Sequence, residues 1–313
     1  MFGKERSVSR PPVRVAAVLG VIDEVELIGD AVANLRNIGV DYIIVADTGS
    51  TDGTLDVLSS YKGDSDIIVH SGSAQGVDTY DNIDFLTPMY VETMKTIRPD
   101  IILVLDADEF WIPSSGHIAD TARILEAEGF LVPRYNIPVV RETLVDVNGI
   151  VRRCDDRIFL ITDPMKEGWT VLDGDPGARW IMTAVQPKLL FRADDSVSIA
   201  QGGHRLMRQG KLIHHHTPSD LVIAHAPFTS RERFLRKVRN IQIALAAGSH
   251  LFTGAQAWHW KRWAKILEEG DIEAEYERQC LSQEEFREHV GSGVIESVRD
   301  YFHKMSAIDP VRS

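Results

Sequence analysis

Through the first 110 residues, unbroken apolar runs of strand length alternate with stretches whose apolar residues recur at helical spacing. Val13–Leu19 is the first run. Glu24–Ile38 then sets Leu27, Ile28, Ala31, Leu35 and Ile38 on one helical face, and Gly39 stands where a C-terminal cap belongs. Asp41–Asp47, Asp66–His70 and Pro99–Asp106 read as further buried strands. A short helix is expected after Ser50-Thr51-Asp52, whose side chains can cap it, and another opens at Thr87-Pro88. Val/Ile/Leu strands joined by amphipathic helices predict β-α-β units and a parallel sheet covered on both faces. After Phe110 the pattern changes. Residues 129–200 carry alternating strand-like stretches, including a predicted hairpin across Asn148-Gly149 and a strand at Lys188–Arg192. From Ser230 the spacing is helical again, through Phe234, Val238, Ile241 and Leu245. A second helix covers about 255–269, and a third follows Ser282-Gln283-Glu284-Glu285, which has the form of a capping box. The chain therefore divides into a flexible arm over 1–12, an α/β unit over 13–228 and a helical extension over 229–313.

Composition narrows the functional classes. With 44% apolar and 26% charged residues the chain can bury a large core. The balance of 34 Lys+Arg against 46 Asp+Glu gives a net charge of -12, which argues against nucleic acid held on a basic face and against a polybasic membrane anchor. The excess is local: residues 226–313 hold 13 basic and 13 acidic side chains, so all of it lies in residues 1–225. Cys154 and Cys280 make no disulfide framework and suggest a reducing compartment. The apolar run near the N-terminus is short, follows Pro11-Pro12 and ends in Asp23-Glu24, so a cytoplasmic location is expected.

Ligands of open parallel sheets bind beyond the carboxyl ends of the strands. Those ends carry Asp23-Glu24, Asp47-Thr48-Gly49-Ser50, His70-Ser71-Gly72 and Asp106-Ala107-Asp108-Glu109. Converging acids repel unless a cation or a hydrogen-bonding ligand lies among them. In an extended chain, Asp106 and Asp108 would face the same side, which suits a hard divalent cation. Neither GxGxxG nor GxxxxGK[ST] is present, so phosphates would be neutralised by a metal instead of a backbone cradle. Five histidines cluster within residues 204–225: His204, His214, His215, His216 and His225. Of these, His225 ends an apolar strand, Leu221–Ala224, and precedes Pro227.

Three stretches together resemble the family 2 glycosyltransferases: residues 21–54 (VIDEVELIGDAVANLRNIGVDYIIVADTGSTDGT), residues 102–110 (ILVLDADEF) and residues 225–238 (HAPFTSRERFLRKV). The resemblance implies a GT-A-type α/β fold, with a mostly parallel sheet flanked by helices, antiparallel additions and a helical C-terminal part. It also implies a nucleotide-diphosphate sugar as donor and Mn2+ or Mg2+ as cofactor. Carried over by position, Asp47 would bind the base, with Glu24 and Ser50 at the nucleotide pocket. Asp106 would face ribose and metal, Asp108 would ligate the metal, and His225 would complete its shell. Asp23 replaces the usual Asn, and Thr229 stands where an Arg is common. An inverting transfer also needs a general base for the acceptor hydroxyl. Asp195 is the preferred candidate, with Asp155-Asp156 and His204 as the others.

The acceptor implied is a glycan or a lipid-linked precursor. Trp258, Trp260 and Trp263 alternate with Lys261, Arg262 and Lys265, which reads either as helix packing or as peripheral contact with the inner face of a membrane. A catalytically inactive nucleotide-sugar-binding module and a DxD-dependent phosphohydrolase are the alternative functions. For the phosphohydrolase, Phe110 stands where that chemistry wants Thr or Val.

Overall fold

A computed structural model describes residues 12–71, 90–121, 127–141, 143–166, 178–199, 203–246 and 258–308. Fourteen strands are assigned among them: β1 (Val15–Val21), β2 (Tyr42–Asp47), β3 (Ile67–Ser71), β4 (Ile101–Asp106), β5 (Glu109–Pro113), β6 (Gly129–Val132), β7 (Arg134–Asn136), β8 (Phe159–Ile161), β9 (Lys188–Arg192), β10 (Val197–Ile199), β11 (Leu206–Arg208), β12 (Lys211–Leu212), β13 (Leu221–His225) and β14 (Ile295–Ser297). The helices used below are α1 (Ile28–Asn37), α2 (Thr54–Ser59), α3 (Val147–Val151), α4 (Arg231–Ala246), α5 (Trp258–Glu269), α6 (Ile272–Gln279), α7 (Gln283–Gly291) and α8 (Val298–Ile308).

The main sheet has the order β3-β2-β1-β4-β9-β6. β1 runs parallel to β2 and β4, and β2 parallel to β3, while β9 is antiparallel to both β4 and β6. All seven residues of β1 lie inside the protein except the partly exposed Gly20, as expected for a central strand covered on both faces. On one face Val15, Ala17, Leu19 and Val21 join Ile28, Ala31, Val32 and Leu35 of α1, and on the other Ala16 and Val18 join Tyr90, Ile97, Leu206 and Ile213. A second sheet, β5-β13-β7, lies beside the carboxyl end of β4. The fold class expected from the sequence is thus the one observed, and β9 occupies the residues predicted for it.

Two local expectations fail, each for a visible reason, and a third cannot be placed. Asn148-Gly149 turns no hairpin: Asp146 accepts the Gly149 N–H at 2.8 Å and caps α3 instead. None of Ser50, Thr51 and Asp52 is the N-cap of α2, which is Gly53, although Asp52 Oδ1 accepts the N–H of its first residue, Thr54. Ser50 Oγ instead accepts the Asp23 N–H, and Asp52 accepts from Val25 N and Thr54 N, so these residues tie two strand-end loops together. The helix opening at Thr87-Pro88 begins outside the described residues.

The C-terminal helices pack on the α/β part. Trp263 is buried, donates its indole N–H to Glu275 Oε1 at 3.0 Å and meets Phe228 and Phe234 edge to face. Trp258 and Trp260 pack partly buried on the same cluster. These contacts account for the tryptophans of α5 as packing, and nothing at this face supports the membrane reading. No helix among the described residues is long and apolar enough to cross a membrane. The capping box at Ser282 and Glu285 forms as expected and opens α7.

Candidate functional site

Parallel register brings the ends of β1, β2 and β4 to one edge of the sheet, and β5, β7, β13 and the first turns of α4 close over it. Each chain segment contributes a charged or polar side chain because its strand stops there. Asp23 and Glu24 follow β1, Asp47 ends β2, Asp106 ends β4, Glu109 begins β5, Asn136 ends β7 and His225 ends β13. Lys188 reaches the same edge because β9 is antiparallel and starts where β4 finishes.

Asp106 and Asp108 do not face one side as an extended chain would place them. Ala107 and Asp108 form a turn that carries the chain from β4 into β5. Asp106 Oδ2 accepts from Lys188 Nζ at 2.7 Å. Asp108 turns instead towards His225 and α4. The carboxylate and imidazole atoms that gather within 4.8 Å of one another belong to Asp108, Glu109 and His225, so Glu109 stands in this group where Asp106 was expected. Both oxygens of Glu109 are already engaged: Oε1 meets Arg134 Nη1 and lies 3.3 Å from Lys188 Nζ, while Oε2 accepts the Asp106 N–H at 2.9 Å. Burial pushes the Glu109 carboxyl up to about 7 against the pull of Lys188 and Arg134.

His225 is held in a defined tautomer. Asn136 Nδ2 donates to Ile181 O at 2.9 Å, which leaves Asn136 Oδ1 to accept from His225 Nδ1–H at 2.7 Å. The lone pair of Nε2 is therefore free and lies 3.7 Å from Asp108 Oδ1. Burial holds this imidazole well below its ordinary pKa and hence neutral, despite the Asp108 carboxylate. A neutral imidazole whose other nitrogen is hydrogen-bonded and a carboxylate oxygen facing it suit a divalent cation.

The second face of Asp108 is occupied by the protein's own cations. Arg233 Nη2 is 3.1 Å and Lys237 Nζ 2.5 Å from Asp108 Oδ2. The same two side chains reach Glu24, at 2.6 Å and 3.4 Å. Arg233 is wholly buried and also donates to the carbonyls of Ala226 and Pro227. Burial alone would raise the Asp108 carboxyl, but the charges of Lys237 and Arg233 outweigh it and hold it well below the usual range. The strand-end acids thus meet cations from inside the chain (Arg134, Lys188, Arg233 and Lys237). Of these, only Arg233 and Lys237 fall in the motif that carried the family resemblance.

At the neighbouring strand end Asp47 is 1% exposed, and its Oδ1 accepts the N–H groups of Gly49 and Ser50 at 3.0 Å and 3.1 Å. Its Oδ2 is buried with no partner among the described residues, an acceptor with an unmet need for a donor. Asp23 adopts φ +52, a left-handed conformation that Asp and Asn tolerate, and its carboxylate binds Thr51 N and Asn240 Nδ2.

His204 comes to the site edge and Asp195 does not. His204 Nδ1–H donates to Pro187 O at 2.7 Å, and its ring feels Lys188, Arg134 and Asp106. Burial, then these two cations, push it down to about 4, so it is neutral with Nε2 unprotonated. The preceding Gly203 has φ +69, and a Cβ there would come within 2.9 Å of Val104 Cγ1, so only glycine lets this segment lie against β4. Asp195 was expected as the general base, and its position is a correction. β9 runs antiparallel to β4, pairing Arg192 with Ile101, and Ala193 N donates to Asp100 O. Asp194 and Asp195 therefore lie beside the first residues of β4, at the opposite end of the sheet from Asp106. The other pair stands apart too: Asp155 is bonded to Arg153.

The residues missed in the sequence were single positions in strands of ordinary pattern: Arg134, Asn136 and Lys188. Lys188, a charged residue opening the apolar run Leu189–Phe191, was the visible clue.

No family model and no curated protein matches the chain in sequence. Among solved structures the chain is similar to residues 1–349 of S. aureus TarS, at 12% identity over 74% of this chain and 65% of that one, with a TM-score of 0.41. A TarS structure in complex with UDP gives 13% identity with the same coverage and TM-score. The glucosyl-3-phosphoglycerate synthase of Mycobacterium tuberculosis, in complex with Mg2+ and UDP, gives 16% identity over 75% of this chain and 79% of that one, with a TM-score of 0.35. The chain spans less than two thirds of the length of the TarS fragment.

Proposed function

We propose that the chain is a metal-dependent glycosyltransferase that moves a sugar from a nucleotide diphosphate to an acceptor hydroxyl of a glycan or lipid-linked precursor, with inversion. The observation that carries this reading is the Asp108 Oδ1–His225 Nε2 pair, with its tautomer set by Asn136, at the same sheet edge as the unpartnered Asp47 Oδ2. A carboxylate oxygen only accepts, so Asp47 favours a base that offers an imide or amide N–H, such as uracil or guanine, over cytosine N3. Asp108 and His225 would hold Mn2+ or Mg2+, and Asp106 would lie towards the ribose. When bound, the ion supplies positive charge for the diphosphate that leaves.

The chain's own residues do the rest. Glu24 and Arg233 fix Asp108 in place from behind, and Asn136 keeps the His225 lone pair turned outward. Lys188 and Arg134 add fixed positive charge beside the leaving group's path, a form of electrostatic preorganisation. His204, neutral and with Nε2 free, takes the proton of the acceptor hydroxyl, while Nδ1–H on Pro187 O holds the ring in that tautomer.

The test is a thermal-shift panel of nucleoside diphosphates with and without Mn2+. The expected result is stabilisation by UDP or GDP that deepens with Mn2+ and is lost in Asp47→Ala. Absence of stabilisation by any nucleoside diphosphate would overturn the reading. Release of free sugar from a matching donor then distinguishes an enzyme from a binding module.

A further inference from the structure

The cation site between Asp108 and His225 has a competitor built into the fold. Arg233 and Lys237 stand one turn apart on α4, and both neutralise the same two acids, Asp108 and Glu24. They are not equivalent. Arg233 has no exposed surface and is held by two backbone carbonyls besides its two carboxylates. Lys237 has a side chain 22% exposed, and among the described residues it pairs with Asp108 and Glu24. Its four-carbon stem can swing into solvent without leaving a buried donor behind.

The charge balance gives this difference a consequence. Two cations and two carboxylates already sum to zero around Asp108. A divalent ion on Asp108 Oδ1 would add two positive charges next to an ammonium bonded to the other oxygen of the same carboxylate. Interactions between charges a few ångströms apart in a partly buried site are strong. Arg233 cannot leave, whereas Lys237 can.

We propose that Lys237 is the resident counter-ion of this site: it neutralises Asp108 while no divalent cation is bound, competes with that cation for the carboxylate, and so sets the metal affinity. The inference rests on the metal site assigned above and deepens it. It makes metal binding by the protein alone weak by design, because the incoming ion must displace or repel an ammonium already in place. An anionic diphosphate arriving with the ion would relieve that repulsion.

The experiment measures Mn2+ binding to the full chain without nucleotide, by electron paramagnetic resonance of free Mn2+ and by calorimetry. Lys237→Met keeps the stem and removes the charge, and it is expected to tighten Mn2+ binding at least tenfold. Lys237→Arg keeps the charge and should stay within about twofold of the parent. Combining Lys237→Met with His225→Ala should abolish the tightened binding, which locates the ion. Lys237→Gln serves as a second neutral variant should the methionine form fold poorly. The proposal is overturned if neutral variants bind Mn2+ no tighter than the parent, or if the gain survives His225→Ala. Binding gained only in the neutral variants would support it most directly. The two readings fail separately: Mn2+ binding that is measurable in the parent and unchanged in His225→Ala would remove the metal assignment, whereas a His225-dependent affinity unmoved by Lys237→Met would remove only the counter-ion.

Discussion

The two ends of β4 and β9 carry the same kind of residues and do different things with them. At one end Asp106, Asp108 and Glu109 meet Lys188, Arg134, Arg233 and Lys237. At the other, Asp194 meets Arg208 at 2.6 Å, next to Asp195. The shorter bond is not the buried one: Arg233–Asp108 measures 3.1 Å and Arg208–Asp194 2.6 Å. What separates them is water. The side chains of Arg208 and Asp194 are 34% and 32% exposed, whereas those of Arg233 and Asp108 are 0% and 4% exposed. An exposed pair contributes at most about 1 kcal/mol, whereas losing one partner of a buried pair costs roughly 3–5 kcal/mol because the other charge is left behind. The comparison teaches that paired acids acquire chemical meaning from what is buried with them, and it can be broken at either end.

The largest effect is expected at Asp108. Asp108→Ala removes the carboxylate that faces His225 and leaves Arg233 and Lys237 beside Glu24 alone. Donor turnover should fall by about 10³-fold or more, as for loss of a metal ligand and its charge stabilisation, and the Mn2+-dependent thermal shift should vanish. Steady-state kinetics near parental values would refute the placement of the ion. Arg233→Met comes next, and its readout is stability. With Glu24 and Asp108 left to Lys237 alone, urea unfolding should show a loss of roughly 3–5 kcal/mol. A loss below about 1 kcal/mol would mean that the acids find other partners.

His204 gives a smaller effect and a pH signature. His204→Gln should lower kcat by about 10²-fold, within the range for a general base. Because burial and the nearby cations hold the ring at about 4 in the folded protein, below the 6.5 of a free imidazole, the folded state takes up its proton later than the unfolded chain. Its contribution to stability is therefore present above pH 6.5 and is lost as pH falls through 6.5 towards 4. The acid limb of kcat/KM assigned to this residue should lie near pH 4. A limb near 6.5 that disappears in His204→Gln would show that the ring is solvated and the assigned environment wrong.

Much of this site is legible in the sequence, and the legible part has a common physical origin. Asp47, Asp106 and His225 are visible because a polar residue at the end of an apolar run marks a strand terminus, and in a parallel sheet the termini collect at one edge. The strand at Lys188–Arg192 was legible for the same reason, but its direction was not. Strand direction is set by pairing with distant residues, and an apolar run reads alike either way round. That one unknown misplaced Asp195 by the full length of β4 and hid Lys188. Turn geometry was the second blind spot: Asp106 and Asp108 keep period two only if the chain stays extended, and it turns at Ala107. The internal cations were the third, since Arg134 and Arg233 are ordinary in sequence and become decisive only through burial against acids far away in the chain.

The smallest effect tests the other side of the comparison. Asp195→Ala and Asp194→Asn alter a surface where Arg208 already reaches both Asp194 and Glu128, at 2.6 Å each. With Glu128 still beside Arg208, Asp194→Asn should change unfolding free energy by less than about 1 kcal/mol, and high salt should shrink even that. Neither change should alter kcat, because both positions lie at the amino end of β4 while the Asp108–His225 pair lies beyond its carboxyl end. A fall in kcat of tenfold or more in Asp195→Ala, with stability intact, would mean that this end of the sheet reaches the acceptor. The two ends would then have to be read as one site.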